Sequence, residues 1–275
     1  MKIFDIHHHV GVLRIGAESG IEEAEADADM DRMIENDYIL RSEKMKRHGI
    51  THACLLPGNS YSMMNGIQDT KRMNDFIAKY RDTHTDLFPV AMGLVELSHG
   101  EASLEEVDRI HEELKLNGLV FHHRFQGGAI NTALMWPILE RIQKHNLKVF
   151  IHVISESNME APWRLEILAD EFPEITFVAL DAFSGISQGE WMSYIAKKHS
   201  NILFDTGCMV SVGNDLKSFI KSHGTKRVLF GSTCYVTPDN FAYPYPLIEL
   251  KEMGLSQEEL EDVFYLNAAK YFDLL

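Results

Sequence analysis

Apolar positions along this chain follow two rhythms that take turns. Short runs rich in β-branched and aromatic residues read as buried strands, and between them lie longer stretches with apolar residues three and four apart, the period of an amphipathic helix. The strand-like runs are Lys2–Val10, His52–Leu56, Phe88–Val95, Gly118–His123, Lys148–Ile154, Thr176–Leu180, Ile202–Asp205 and Arg227–Gly231. Helices are predicted over Asp31–Arg47, Lys71–Arg81, Leu104–Leu114, Leu134–His145, Trp163–Phe172, Glu190–Lys198 and Asp215–Ser222, with two more, Pro246–Met253 and Gln257–Val263, at the end. Eight strands, each followed by a helix, predict a single (β/α)8 TIM barrel of the α/β class rather than an open doubly wound sheet.

The 275-residue length suits one such unit. No Pro/Gly-rich linker, low-complexity tract or repeat beyond the βα alternation divides the chain, so residues 1–275 are expected to form one domain. Residues 12–31 make an acidic insertion after the first strand, with Glu22, Glu23, Glu25, Asp27, Asp29 and Asp31, on the face where a barrel keeps its active site. Two readings stand for it: a lid, or a solvated acidic helix start.

Charge narrows the partners. The 26 Lys+Arg against 41 Asp+Glu leave a formal net charge of −15, which repels nucleic acid and anionic membrane surfaces over about a Debye length. A small-molecule substrate is expected instead, and an anionic one needs a local cationic patch. No run approaches the ~20 apolar residues of a membrane span, and Asp5 with three histidines stands where a signal peptide has its apolar core. Cys54, Cys208 and Cys234 are too few and too scattered for a disulfide framework, so a cytoplasmic, reducing home is expected.

Candidate chemistry gathers at strand ends. In Asp5-Ile6-His7-His8-His9, alternation along a strand sends His7 and His9 one way and His8 the other. The fifth strand, Val149-Phe150-Ile151, stops on His152. Alone, His152 reads as a satisfied core residue, but three strand-end imidazoles in one barrel mouth suit an open catalytic site for one divalent metal ion, with Zn2+ the expected ion. Such an ion brings the pKa of a water ligand to about 7. At the end of the fourth strand His122 and Arg124 form the main basic cluster, expected to bind a substrate carboxylate, with an ordinary surface salt bridge as the other reading for Arg124.

These residues, with Asn74 and Phe88 before the third strand, Phe204-Asp205-Thr206 on the seventh, Phe230-Gly231-Ser232 on the eighth and the closing Asn267-Ala268-Ala269, carry a resemblance over nearly the whole chain. The sequence resembles the amidohydrolase superfamily, in the amidohydrolase-related branch that includes hydrolases and nonoxidative decarboxylases such as aminocarboxymuconate-semialdehyde decarboxylase. The resemblance implies a mononuclear metal held by His7, His9 and His152, because Val120–Arg124 offers no lysine that could be carboxylated to bridge a second ion. It also implies a homo-oligomer, the state of many relatives.

Two departures stand out. The family's sixth strand usually ends on a histidine, where this chain has Asp181, and the family's eighth-strand aspartate is replaced by Thr233. A missing general base costs about 10²–10⁴ in rate. Asp181 is the expected replacement, either completing the metal shell or taking a proton from water, with the loop carboxylate Glu156 as another candidate. The leading expectation is a metal-dependent hydrolase acting through a metal-activated water on a small carboxylate-bearing amide, ester or lactone. The alternatives are a decarboxylase or hydratase on the same scaffold, or a metal- or ligand-binding barrel without turnover.

Overall fold

Each apolar run closes a parallel ladder with the next. In the computed structural model, residues 1–10, 30–58, 61, 65–208, 213–236 and 244–275 are described. The strands are β1 (Phe4–His9), β2 (His52–Leu56), β3 (Val90–Gly93), β4 (Gly118–Phe121), β5 (Lys148–His152), β6 (Phe177–Leu180), β7 (Ile202–Asp205) and β8 (Val228–Leu229). They pair in parallel in the order β1 to β8. The ring closes through backbone bonds from Ile6 N to Phe230 O, 3.0 Å, and from His9 N to Cys234 O, 3.0 Å. This is the (β/α)8 barrel that the alternation predicts. The insertion at residues 12–31 lies almost wholly outside the described residues.

The helices are α1 (Met30–His48), α2 (Ile67–Thr83), α3 (Glu101–Glu112), a single turn α4 (His123–Gln126), α5 (Met135–Lys144), α6 (Pro162–Glu171), α7 (Ile186–Lys198), α8 (Gly213–His223), α9 (Tyr245–Glu252), α10 (Gln257–Glu261) and α11 (Asn267–Tyr271), the last two joined by a π-helical turn. Local chemistry fixes several starts. Pro162 occupies the first turn of α6, where its missing N–H costs nothing, and Ser256 with Glu259 forms a reciprocal capping box on α10. No helix among the described residues is long and apolar enough to cross a membrane.

Strand alternation sorts the core into two shells. Phe4, Ile6, Cys54, Leu56, Val90, Met92, Val120, Phe150, Val178, Leu180 and Leu229 fill the barrel interior, while their neighbours in sequence, such as Leu55, Leu119, Ile151 and Phe204, pack against the helices. Ala268, Tyr271 and Phe272 join the interior cluster from the C-terminal helix. Tyr271 accepts a hydrogen bond from Val149 N at 3.1 Å and donates one to Thr176 O at 3.1 Å, which fixes that helix to the strands' N-terminal ends. Asn74 ties α2 to β3 and α3. Its amide accepts from Leu94 N at 2.9 Å and donates to Leu94 O at 2.9 Å and Glu106 Oε1 at 2.7 Å.

One buried imidazole makes stability depend on pH. His123 is fully buried with neither ring nitrogen hydrogen-bonded among the described residues, and burial, with the charge of His122, pushes its pKa from 6.5 down to about 3. The unfolded chain therefore binds a proton that the folded chain refuses, and this group lowers stability as the pH falls from 6.5 towards 3. By pH 5 the loss is about 2 kcal/mol. Denaturant melts of wild type and His123→Leu at pH 7 and pH 5 are expected to differ by that amount more at pH 5, in the variant's favour. A gap that does not widen would mean that the folded protein protonates this ring at little cost.

Candidate metal centre

The first strand is not regular, and its irregularity builds the site. Phe4 and Ile6 point into the barrel, so plain alternation would next send His8 inwards. Instead the ladder with β2 slips by one residue between Asp5 and His8. His7 and His9 then face the mouth, their Nε2 atoms 2.9 Å apart, while His8 turns outwards to Asp5 at 2.8 Å and Arg41 at 3.4 Å. His152 ends β5 with its ring centroid 5.3 Å from that of His7 and 5.8 Å from that of His9. Ligand atoms of the three buried imidazoles lie within 4.8 Å of one another.

Hydrogen bonds on the far side of each ring set its tautomer. His9 Nδ1 donates to Pro57 O at 2.6 Å, His152 Nδ1 to Phe121 O at 2.9 Å and His7 Nδ1 to the Asp205 carboxylate at 2.7 Å. All three acceptors can only accept, so each Nδ1 carries a proton and each neutral ring keeps its lone pair on Nε2. Burial, with the repulsion that charge on a neighbouring imidazole would add, holds His9 and His152 well below the usual imidazole range. Burial also opposes charge on His7, but the carboxylate of Asp205, with those of Asp181 and Asp5, raises its pKa. Lone pairs on nitrogens 2.9 Å apart repel unless a proton or a cation stands between them. The donor set therefore fits a divalent cation bound through imidazole nitrogens, each braced by a second hydrogen bond.

Asp205 was not singled out for a role from sequence, because its partner His7 lies 198 positions away. It is fully buried, and its second oxygen has no hydrogen-bond partner among the described residues. Two glycines make room for it. A Cβ on Gly231 would fall 1.9 Å from Asp205 Oδ1, and one on Gly207 would fall 2.3 Å from His7 Nδ1 and 2.4 Å from Asp205 Oδ2.

Asp181 stands on the Nδ1 side of His7, with its Oδ1 3.9 Å from that nitrogen. It groups with His7 and Asp205 within 4.8 Å, not with His9 and His152. Burial, against the attraction of His7 and with the repulsion of Asp205 and Glu160, raises its pKa to about 6. Thr233, in place of the family's aspartate, donates a hydrogen bond to Asp181 Oδ1 at 3.3 Å and lies 3.4 Å from His7 Nδ1. Both Asp181 (φ 58°) and Thr233 (φ 53°) hold left-handed backbone, which for a β-branched threonine is a strained state.

The fourth strand, expected to run to His123, stops earlier, because β4 ends at Phe121 and α4 begins at His123. His122 and Arg124 meet nonetheless, on Glu160. His122 Nδ1 donates to Glu160 Oε1 at 2.5 Å, the Arg124 backbone N–H donates to the same oxygen at 3.1 Å, and Arg124 Nε lies 3.5 Å from Oε2. Glu160 is fully buried, whereas the loop candidate Glu156 is exposed. His122 stacks on His152 with centroids 4.0 Å apart and planes 8° apart. Tyr61 meets both rings edge-on, and Tyr235 stacks on His9 at 4.6 Å. No sequence signal marks Glu160 or Tyr61. Each sits on a loop after a strand, and only closure of the barrel brings it to the mouth.

The amidohydrolase family model matches residues 4–274. The chain belongs to the amidohydrolase family. No curated protein matches the chain, but many solved structures share its fold. A candidate amidohydrolase from Staphylococcus aureus superposes with a TM-score of 0.74 at 16% identity, covering 100% of both chains. A 5-carboxyvanillate decarboxylase from Novosphingobium aromaticivorans, complexed with manganese, gives 0.67 at 16% identity over 99% of this chain and 96% of its own. A 4-oxalomesaconate hydratase from Rhodopseudomonas palustris gives 0.69 at 16% identity over 99% and 96%. The chain is thus an enzyme of the amidohydrolase family, built on a barrel that its structural neighbours use for decarboxylation and for hydration.

Proposed function

We propose that this protein is a metal-dependent hydrolase of a small carboxylate-bearing amide, ester or lactone, with one divalent ion, zinc, held by His7, His9 and His152. The observation that carries this reading is the convergence of three Nε2 lone pairs whose rings are fixed from behind by Asp205, Pro57 and Phe121. Bound there, the ion supplies Lewis acidity towards a carbonyl oxygen and lowers the pKa of a water ligand towards neutrality. Asp205 keeps His7 in its tautomer. Asp181, with a carboxyl pKa of about 6 and a hydrogen bond from Thr233, takes a proton near neutral pH and returns it to the leaving group, the task of the family's missing aspartate. Its place behind His7 supports this proton role over direct ligation. Arg124, 40% exposed and only loosely paired with Glu160, has donors left for a substrate carboxylate, and His122, braced by Glu160, stands beside it.

The zinc-loaded protein is expected to hydrolyse members of a panel of carboxylate-bearing esters, lactones and amides. Asp181→Asn should keep its metal and lose about 10²–10⁴ in kcat. Carbon dioxide release from carboxylated aromatic acids, with no hydrolysis, would move the enzyme to the lyase side, where the decarboxylase and hydratase neighbours stand. Full metal content with neither activity would favour the binding-protein reading.

A further inference from the structure

At the opposite end of the barrel, the N-terminal ends of β5 to β8 border a cavity of about 430 Å3, a volume typical of small-ligand sites. Lys148, Lys226, Arg227 and Lys270 line it against two carboxylates, Glu174 and Asp273. Such a cationic excess is unusual in a chain of net charge −15. Part of it is already met, since Lys148 pairs with Asp273 at 2.9 Å and Lys226 with Asp262 at 2.9 Å.

Arg227 and Lys270 make no ion pair among the described residues. Exposed Glu174 offsets one of these charges, which leaves the other in excess. Arg227 is half-buried and held in place. Its Nη1 donates to His199 O at 2.7 Å, its Nη2 to Ala196 O at 2.6 Å, and its guanidinium lies 5.5 Å from the centroid of the Phe204 ring. All these partners are neutral, and burial without a counter-charge lowers its pKa. A partly desolvated cation fixed in a polar cavity lacks the anion that would offset its desolvation, and the planar fork of arginine matches phosphate and carboxylate groups.

We propose that this cavity is a second ligand site, for a small organic anion carrying a phosphate or carboxylate group, with Arg227 and Lys270 as its cationic partners. It is separate from the metal centre. Lys148 and His152 are the first and last residues of β5, so the strand sets them about 13 Å apart. The proposal therefore stands or falls independently of the reaction assigned to the barrel mouth.

Calorimetric titration of the metal-loaded full chain with inorganic phosphate, and separately with succinate, at physiological ionic strength tests it. Saturable binding of at least one probe is expected, and the probe that binds identifies the group preferred. Affinity should fall at least tenfold in Lys270→Glu and in Arg227→Gln, with metal content unchanged. The Lys270 side chain is exposed and makes no hydrogen bond or ion pair among the described residues, so its variant keeps the test informative if Arg227→Gln does not fold. Failure of both probes to saturate below about 10 mM, or undiminished affinity in folded Lys270→Glu, would overturn the proposal.

Discussion

His152→Ala is expected to fold and to bind zinc or manganese more than about 100-fold more weakly than the wild type, with hydrolysis falling to background. The size of the effect follows from the donor set. Mutating an outer-shell partner of a metal ligand costs about 10–100-fold in affinity, and removing one of three ligands takes away a bond outright. The fold should survive, because His152 is the last residue of β5 and the pairing of Val149 to Ile151 with both neighbouring strands does not involve its ring. Elemental analysis after gel filtration, with circular dichroism as the control for folding, reads the result. Stoichiometric metal in a folded His152→Ala would take this imidazole out of the site and leave the zinc assignment without its third ligand.

Gly231→Ala should do comparable damage through packing. The added methyl would lie 1.9 Å from Asp205 Oδ1 and 2.8 Å from His7 Cβ, and both neighbours are fully buried with no room to retreat. Overpacking of this kind costs about 3 kcal/mol, and any relief must push Asp205 off His7 Nδ1. Stability and metal affinity are thus expected to fall together. A second substitution separates the two. In Gly231→Ala/Asp205→Ala the carboxylate that collides is gone, so urea melts should recover part of the lost stability while metal affinity stays low, because nothing then braces His7. Wild-type metal affinity in the double variant would show that Asp205 has no positioning role.

Much of the architecture was legible because its signals are local. Each strand and helix announces itself through a short-range period, and the eight-fold alternation determines the barrel. The boundaries were less legible. Arg227–Gly231 reads as a strand, yet only Val228 and Leu229 are assigned to β8, because where a strand stops pairing depends on neighbours far away in sequence. The three imidazoles could be found because each terminates an apolar run. Glu160 and Asp205 could not be given roles, since what distinguishes them is total burial beside a histidine 38 and 198 positions away. Aromatic residues are no safer a guide: Trp163 sits 40% exposed on α6 against Trp191. Tyr235, by contrast, reaches the mouth, where it stacks on His9.

The one-residue slip in β1 also constrains any attempt to move this motif. A designer who copied Asp5 to His9 into an evenly pleated strand of another barrel would orient the middle histidine towards the mouth and strand its two companions among the surrounding helices. The transplant has to carry the extra residue and the outward lock of His8 on Asp5 and Arg41 with it. The smallest portable unit is therefore the kinked strand with its arginine-bearing helix.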